Sequence, residues 1–487
     1  MRERQEKVAR RVREASLSTR PVAGQEAAAG ETARVLSGER GRGGRGMSRY
    51  KAYPEYRASG VEWIGDIPDS WQVTPLFSVA TTGIQKNDSG SEGNVLSLSY
   101  GRIIRRDVED NHGLLPKSFN TYQIVDSGDI ILRLTDLQND KRSLRVGMSN
   151  EKGVITSAYL KLTSKARFLD RYLYRLLHSY DTTKVFYGMG GGLRQSMKFD
   201  EMRRLQMLCP SLDEQKRIAD FLDHETAKID ALIERQQRLI ELLKEKRQAV
   251  ISHAVTKGLD PNAPLKDSGV EWADTVPVHW RVSKLSYHAS VSNGATPSRD
   301  NLLFWENGTI GWLNSSKVND EVIEDADQFI TELAFLKTSV KPVEKGDLVM
   351  AITGEGQTRG RVAICNISAT INQHLAAISI YDSRLNYQFL CLWLEGNYER
   401  IRYESEGAGS TKGAITCSEI GAFPVIVPPA EEQDAIIDYV NKRKREFDRL
   451  VHKAISAIEL MQERRTALIS AAVTGKIDVR DWQPAAA

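Results

Sequence analysis

A phrase of fifteen residues occurs twice in this chain of 487 residues, and the repetition constrains the fold more than any other feature. Residues 59–73 read SGVEWIGDIPDSWQV, and residues 268–282 read SGVEWADTVPVHWRV. Three more segments repeat in the same order: GDIILRL and GDLVMAI, PSLDEQKRIADFLD and PPAEEQDAIIDYVN, and AVTKG and AVTGK. A period above 200 residues is too long for a solenoid and indicates two whole domains in tandem.

The two copies differ in length within their globular parts. The first repeated phrase recurs after 209 residues, whereas the other three segments recur after 218. The second copy therefore holds nine additional residues, and the alignment puts them between Leu285 and Asp347. A kept scaffold with a variable insertion is typical of a duplicated domain whose binding surface has diverged.

Each copy consists of a globular part followed by a long helix. The globular parts mix short strand-like runs such as GDIILRL with helical stretches such as FLDRYLYRLLHSY, which predicts an α/β or α+β domain with a mixed sheet. From Asp213 to His253 there is no Pro or Gly, and apolar residues alternate at steps of three and four. Ile436 to Ala471 repeats this pattern. We expect the two helices to pair antiparallel as a coiled coil between two similar domains, a pseudo-two-fold tandem.

These patterns divide the chain into five predicted segments. They are a disordered basic leader (1–46), a first domain (47–212), a central spacer helix (213–260), a second domain (261–430), and a C-terminal spacer helix with a tail (431–487). The leader contains almost no large apolar side chain, so it cannot offset its ordering entropy by burial. Met47 is an alternative start of translation, and in that case residues 1–46 would not be part of the protein.

Composition excludes several classes of function. The chain has no apolar run near the ~20 residues of a membrane span. Its four cysteines have no metal-binding spacing and fit isolated thiols in the reducing cytoplasm, the predicted compartment. The first domain has 23 Lys/Arg against 18 Asp/Glu, whereas the second has 14 against 20. The net charge of the domains therefore does not indicate a nucleic-acid binder, and any positively charged surface must be local or supplied by a partner.

The repeated segments, taken together, resemble the specificity subunit of type I restriction-modification enzymes. The similarity runs from about Met47 to Asp478 and rests on the duplicated SGVEW phrase and the paired Pro-x-x-x-Glu-Gln helix openings. It implies two target recognition domains, each reading one half of a bipartite asymmetric site in double-stranded DNA. The two long helices then act as a spacer, and one chain with two similar halves imitates a symmetric dimer.

The resemblance also implies the partners and the absence of catalysis. Two adenine methyltransferase subunits and the restriction/translocase subunits dock on such a chain, and S-adenosylmethionine, ATP and Mg are bound by those partners. No cofactor, metal or membrane is expected here. Consistent with this, no amine methylation motif is present, and GAGSTKGA at 407–414 lacks the Walker spacing.

Polar loops supply the candidate DNA contacts. Arginine suits guanine and glutamine suits adenine, while lysine mostly holds phosphates. The candidates lie in RIIRRD, RLTDLQNDKRSLR and GMGGGLRQSMK of the first copy and in GEGQTRGR and GAGSTKG of the second: Arg102, Arg105, Arg133, Lys141, Arg142, Arg194, Gln195, Lys198, Gln357, Arg359, Arg361 and Lys412. Solvated surface residues are the alternative for each one.

Two further alternatives stay open at this point. The tryptophans of the repeated phrase (Trp63, Trp71, Trp272 and Trp280) could stack on bases, but their identical position beside proline favours a packed structural joint. The chain as a whole could be a coiled-coil adaptor without DNA affinity, in which case the loop sequences would not affect DNA modification.

Overall fold

Two units make up the structure, and each contains part of both long helices. The computed structural model describes residues 50–106, 118–135, 137, 143–189, 197–270, 272–354, 357–406 and 413–484. The first unit comprises Met1–Gln236 and Ile455–Ala487, and the second comprises Gln237–Ala454. The predicted leader lies outside the described residues. The five predicted segments divide the chain at other points, and those boundaries stay predictions.

The first unit contains twelve strands among its described residues. Its largest sheet is antiparallel with strand order β4-β11-β8-β9, and β12 pairs with β3 beside it. The strands are Tyr56–Ala58 (β1), Asp66–Pro68 (β2), Gln72–Pro75 (β3), Ala80–Thr81 (β4), Leu96–Ser99 (β5), Arg102–Arg105 (β6), Gln123–Val125 (β7), Ile130–Leu132 (β8), Val146–Met148 (β9), Gly153–Ile155 (β10), Leu160–Ser164 (β11) and Gln206–Cys209 (β12). The helices are Leu76–Val79 (α1), Asp170–Thr182 (α2), Phe199–Met202 (α3) and the start of Leu212–Lys257 (α4).

The second unit repeats this topology and extends it. Its main sheet has the order β16-β24-β21-β22-β18, and a second sheet has the order β19-β17-β23-β20. The strands are Leu265–Asp267 (β13), Thr275–Pro277 (β14), Arg281–Lys284 (β15), Ala289–Asn293 (β16), Ile310–Leu313 (β17), Val322–Ile323 (β18), Gln328–Ile330 (β19), Pro342–Val343 (β20), Leu348–Ala351 (β21), Val362–Cys365 (β22), Ala369–Ile371 (β23), Leu375–Ile380 (β24) and Pro424–Val427 (β25). The helices are Glu332–Lys337 (α5), Tyr387–Gly396 (α6), Tyr398–Glu406 (α7), Cys417–Ala422 (α8) and the start of Ala430–Val473 (α9).

The predicted fold class is confirmed. Four strands of each main sheet follow the same order, and the pair β12-β3 corresponds to β25-β15. Parallel pairing occurs at β17-β23 and β18-β22, so the sheets of the second unit are mixed. The second sheet, β19-β17-β23-β20, has four strands, and three of them (β17, β19 and β20) lie in the segment that holds the nine additional residues. Its pair β20-β23 corresponds to β7-β10 of the first unit.

Each long helix begins one residue before its predicted segment, and α4 ends three residues before the predicted bound at 260. Helix α4 has 46 residues and α9 has 44, and acidic side chains (Asp213, Glu214, Glu431 and Glu432) occupy their first turns, where they favour the helix dipole. Arg465 of α9 bonds Asp230 of α4 in the first unit, at 2.9 Å. In the second unit Arg247 of α4 bonds Asp448 of α9, at 2.8 Å. Each unit therefore contains its own antiparallel contact between the helices.

The repeated phrase forms a buried joint at the start of each unit's own long helix. Trp71 is fully buried, and its indole Nε1 donates to Glu214 at 3.0 Å. Trp280 is equally buried and donates to Glu432 at 2.9 Å. The structural role predicted for these two tryptophans is confirmed. The first tryptophan of the phrase differs, because Trp63 is 45% exposed and meets Tyr180 edge-on.

The Gln of each Pro-x-x-x-Glu-Gln opening connects the long helix to its globular domain. Gln215 donates to the Pro210 carbonyl at 3.0 Å and accepts from the backbone N–H of Leu169 at 2.8 Å. Gln433 makes the same two bonds with Pro428 and Asn386, both at 2.8 Å. Leu169 and Asn386 immediately precede helices α2 and α6, so each glutamine fixes the start of a domain helix.

The glycine after each long helix packs against the joint of the other copy of the phrase. Gly475, at φ +73°, would bring an added Cβ within 2.4 Å of the Pro68 ring. Gly258, at φ +77°, would bring one to 3.1 Å from the Trp280 ring. Both glycines end a helix in the left-handed conformation, where other residues are strained.

Gly475→Ala is expected to destabilise the protein more than Gly258→Ala. The backbone strain costs about 1–2 kcal/mol at either position, and the clash with Pro68 adds about 1–3 kcal/mol. Gly65→Ala is the matched control, since Gly65 has φ +72° with nothing within 4 Å of an added Cβ. Urea denaturation of the three variants measures the difference. Equal losses for Gly475→Ala and Gly65→Ala would contradict the packing argument.

Candidate nucleic-acid interface

In each unit the two candidate loops leave the main sheet side by side. In the second unit the backbone N–H of Ile415 donates to the Ile352 carbonyl at 2.8 Å. In the first unit Met197 donates to Leu134 in the same way, at 2.9 Å. Ile352 follows β21 directly and Leu134 follows β8 by two residues, so the chain after these strands and the chain before Ile415 or Met197 start from one edge. The described ends of loops that are distant in sequence thus lie side by side, and we call these paired loop ends the composite surface of each unit.

More of the composite surface is described in the second unit than in the first. Its first loop closes through backbone bonds from Ala351 to Arg361, at 2.9 Å, and from Gly360 to Ala351, at 2.8 Å. The hydroxyl of Tyr398, in α7, donates to the Gln357 carbonyl at 2.5 Å. The Gln357 side chain itself is exposed. The loop is therefore held by its backbone, which leaves this amide available to solvent.

Arg359 departs from the expectation of an exposed DNA contact. Its residue is only 3% exposed, and a Cβ added to Gly413 would overlap its guanidinium. The Gly413 backbone therefore lies directly against the Arg359 side chain. A guanidinium covered in this way supports the loop, and as the protein stands it does not reach a base edge. Burial thus speaks against the base-reading role for Arg359.

The remaining cation of this loop lies at the surface but has a protein partner. Arg361 is half-buried, and its guanidinium Nη1 donates to the Asn319 side chain at 2.9 Å. An amide partner leaves the positive charge of Arg361 uncompensated by that bond. Contact between Arg361 and a phosphate stays a prediction.

Sequence reasoning missed a polar cluster beside the same loops. The Thr353 hydroxyl and His374 Nδ1 lie 2.7 Å apart, and the exposed Gln373 amide lies 3.2 Å from His374 Nε2. Thr296 donates to Gln373. The Ile352 backbone N–H bonds the His374 carbonyl at 3.0 Å, which links the cluster to the composite surface. The signal was present in the run TINQHLAAISI, whose polar residues interrupt an otherwise apolar strand pattern.

An exposed arginine stacked on tryptophan was missed as well. The Arg299 guanidinium carbon lies 3.7 Å from the centroid of the Trp305 ring and 4.9 Å from that of Trp312. Such stacking holds a cation in place at low entropic cost. The sequence SRDNLLFW carries both residue types, but their contact depends on the fold around the second sheet of this unit.

The first unit places its candidates less uniformly. Arg105 forms a two-pronged ion pair with Glu151, and this hydrogen bonding lowers the pKa of Glu151. Arg102 lies 3.6 Å from Asp230 of helix α4. Arg133 is half-buried, and Lys198 is exposed at the start of helix α3. DNA contact by these four residues stays a prediction.

Arg145, the last residue of the segment RLTDLQNDKRSLR, stabilises the fold of the first unit. It is fully buried, and its guanidinium donates to the carbonyls of Arg133 and Thr135 at 3.1 and 2.7 Å. The other candidates lie outside the described residues, so their contacts stay predictions: Lys141, Arg142, Arg194, Gln195 and Lys412.

One arrangement in the second unit has the residue types of a hydrolytic triad. His288 lies against Ser283 on one side and, through Nδ1, 2.6 Å from the Asp382 carboxylate on the other. His288 is buried, and Arg384 also binds Asp382, which holds the pKa of that carboxyl well below its usual range. The imidazole is covered, and the contacts of this set join β15 to the chain after β24.

Among the described residues, no group of His, Cys, Asp and Glu is arranged to hold a metal ion. Within the same residues, no helix is both long and apolar enough to span a bilayer.

Comparison with known proteins identifies the class. Residues 277–460 match the family model described as the type I restriction modification DNA specificity domain. The matched range covers most of the second domain and the first part of α9. This part of the chain is thus a DNA specificity domain.

One relative is similar to the chain along most of its length, and another along about a third of it. The type I restriction enzyme MjaX specificity subunit of Methanocaldococcus jannaschii is 22% identical over 440 residues, which is 86% of this chain and 96% of that protein. The EcoR124I/EcoR124II specificity subunit of Escherichia coli is 25% identical over 178 residues, 35% of this chain and 42% of that protein. Residues 277–460 match the family model, and the chain as a whole is similar to type I restriction-modification specificity subunits, as the repeated segments predicted.

A solved structure supports the fold independently. A chain from a type I restriction-modification system, solved in a study of complex assembly and conformational transition, superposes with a TM-score of 0.61 at 15% identity. The match covers 84% of this chain and 98% of that chain. At this identity the likeness concerns the fold alone.

Proposed function

We propose that this chain recognises a bipartite asymmetric DNA site and docks two methyltransferase subunits and the restriction/translocase subunits of its complex. The observation that carries the proposal is the equivalence of the two composite surfaces. Both start from the same backbone bond, Met197 to Leu134 and Ile415 to Ile352, but their loops differ in sequence. Two equivalent supports with unlike loops suit the recognition of two unlike half-sites.

Exposed leucines on the long helices support two identical partners. The first unit exposes Leu232 of α4 and Leu460 of α9, and the second exposes Leu450 of α9 and Leu242 of α4. Residues 218 apart correspond in the two copies, so Leu232 corresponds to Leu450 and Leu242 corresponds to Leu460. Apolar side chains on a solvent-facing helix surface are typical of protein interfaces. The repetition favours one kind of partner bound twice, as the methyltransferase subunits would be.

Catalysis and cofactors belong to the partners in this proposal. The chain itself is non-catalytic, and S-adenosylmethionine, ATP and Mg are bound by the methyltransferase and restriction subunits in the cytoplasm. The second domain carries six more acidic than basic residues, so it binds the DNA backbone weakly by itself. Methyltransferase subunits that close around the duplex would supply the missing positive charge.

A domain exchange tests the proposal. Residues 261–430 are replaced by the second domain of another specificity subunit, and the methylated motif is read by methylome sequencing with the partner subunits present. We expect one half-site to change completely and the other to stay intact. Discrimination against the former half-site should reach at least about a thousandfold, as for specific DNA binding generally.

The reciprocal exchange of residues 47–212 is the matched control, and it should change only the other half-site. Preservation of both half-sites after either exchange would favour the alternative of an adaptor that takes no part in DNA recognition. A change of both half-sites after a single exchange would contradict independent reading by the two domains.

A further inference from the structure

The ion pairs between the two long helices are two copies of one arrangement. Asp230 pairs with Arg465 in the first unit, and Asp448 pairs with Arg247 in the second. A shift of 218 residues converts Asp230 into Asp448 and Arg247 into Arg465. The duplication therefore preserved the ion pair, and each unit contains it once.

Each globular domain adds a further charge to its copy of this pair, and the two added charges have opposite signs. In the first unit Arg102, at the start of β6, lies 3.6 Å from Asp230. In the second unit Glu321, next to β18, binds Arg247 at 2.5 Å and Lys444 at 2.9 Å. We call these groups the first and the second ion cluster.

The second cluster is the more extensive. Glu395 of α6 lies 3.1 Å from Lys444 and 3.7 Å from Arg247, so two carboxylates from the domain face one cation from each long helix. The Lys444 side chain is only 9% exposed. Burial lowers the pKa of Lys444, but Glu395 and Glu321 outweigh this effect and raise it. Lys444 is therefore charged and depends on these carboxylates for its stability in the folded state.

Apolar packing is incomplete around the second cluster. A cavity of about 410 Å³ lies between domain and helices in this unit, with Arg247, Glu321, Glu395 and Lys444 in its wall. Apolar contact resumes towards the Trp280 joint, where Ile251 and Val255 of α4 join the core of the domain. The domain is thus attached at two points of different chemistry, an apolar joint and an ionic cluster.

The distance between the joint and the ionic cluster allows the cluster to control the tilt of the domain. Glu432 at the joint and Asp448 at the cluster are sixteen residues apart on α9, which is about 24 Å along a helix. One base pair advances a duplex by about 3.4 Å. A tilt of roughly 8° about the joint therefore moves the far side of the domain by about one base pair.

We propose that Glu321 is a positioning residue that sets the orientation of the second recognition domain on the helix pair, and thereby the spacer length that the complex accepts. This inference rests on the proposed function. Glu321 holds the domain to Arg247 and Lys444 together with Glu395. Its loss leaves Glu395 as the one domain carboxylate of the second cluster that binds these cations, and this weaker attachment allows the domain to tilt about the Trp280 joint. Arg102 performs the corresponding task more weakly in the first unit, because it is more exposed and lies farther from its partner.

The test is methylation of a DNA library by the complete complex, with both half-sites constant and the spacer varied by single base pairs. We expect the wild-type chain to prefer one spacer length strongly. Glu321→Arg places a cation beside Arg247 and Lys444, and it should reduce this preference by about tenfold without changing either half-site. Glu321→Asp keeps the charge and should restore most of the preference.

Glu324→Arg is the matched control. Glu324 is exposed three residues away and accepts only a 3.3 Å bond from Asn366 of its own domain among the described contacts. The same change of charge there should leave the spacer profile as in the wild type. Arg102→Glu in the first unit should broaden the profile by a smaller factor.

Salt and folding distinguish positioning from structural damage. Thermal denaturation should show that Glu321→Arg still folds, and the wild-type profile should broaden with rising salt, since partly exposed ion pairs are screened. A folded Glu321→Arg variant with an unaltered spacer profile would overturn the inference and leave the proposed function intact. If the wild-type complex methylates no sequence-specific site, the proposed function itself fails.

Discussion

Replacement of Trp71 by alanine is expected to lower the free energy of unfolding of the first unit by about 3–5 kcal/mol. The side chain is fully buried between the Tyr53 ring, whose centroid is 5.8 Å from that of Trp71, and the chain around Gly475. Its removal leaves a cavity and deprives the buried Glu214 of an indole donor. Because that joint connects the repeated phrase to both long helices, the loss should extend through the unit. Hydrogen exchange resolved by unit measures it.

Trp63→Ala is the matched control for this prediction, because Trp63 belongs to the same phrase but is 45% exposed. We expect it to cost less than about 1.5 kcal/mol, the upper range for an aromatic edge contact. Trp280→Ala should reproduce the Trp71 effect in the second unit, since the two joints correspond. Similar losses for Trp63→Ala and Trp71→Ala would show that the joint is not the critical feature of the phrase.

The repeat in the sequence predicted the repeat in topology because both express the same local rules. Long runs without Pro or Gly at alternating steps of three and four specify helices, and α4 and α9 each begin within one residue of the predicted segment. A tryptophan that recurs beside proline in both copies is constrained by packing, and Trp71 and Trp280 are indeed buried. Periodicity and duplication were sufficient for these features.

The polar partners of the joints could not be predicted in the same way. Glu214 and Gln215 are adjacent acidic and amide residues in a helical first turn, which capping alone explains. Their bonds to Trp71 and to Leu169 depend on the return of distant segments to the helix start. The duplication contained a signal for this role, since Glu432 and Gln433 repeat the pair, but not the identity of the partners.

The candidate interface was predictable only at the level of loops. The sequence identified the loops before Arg361 and before Ile415, and the backbone bond to Ile352 brings them together. The exposure of single side chains could not be predicted from the sequence. Arg359 and Arg361 are two residues apart and have the same chemistry, but only Arg359 is covered. Burial there depends on Gly413, more than fifty residues away in the chain.

The role of a single charged residue was equally difficult to predict from the sequence. Arg102 and Glu321 occupy corresponding regions of the two domains, and by composition alone both are ordinary surface residues. Their proximity to the helix pair gives them a second interpretation, as anchors that orient a domain. A basic residue in a specificity subunit is therefore not a DNA contact by default, and the sign reversal between the copies supports an anchoring role in both.

Lengthening both long helices by seven residues, after Gln236 and after Ala454, is expected to increase the accepted spacer by about three base pairs. Seven residues add about 10.5 Å to a helix and nearly complete two turns, and three base pairs advance a duplex by about 10 Å. Both insertions lie between the ion pairs Asp230–Arg465 and Arg247–Asp448, so each pair keeps its partner. Methylation of the original spacing should fall at least about tenfold, and both half-sites should stay unchanged.

Insertion into α4 alone is the informative control, since it has the same length and composition but no compensating change in α9. With seven residues added to one helix, Asp230–Arg465 and Arg247–Asp448 cannot both persist, and a shift by seven residues separates one pair by about 10 Å. We expect this variant to lose modification at every spacer length. A double insertion that retains the original spacing would show that the long helices do not determine the distance between half-sites. Equal activity of the single and double insertions would show that their pairing is not required.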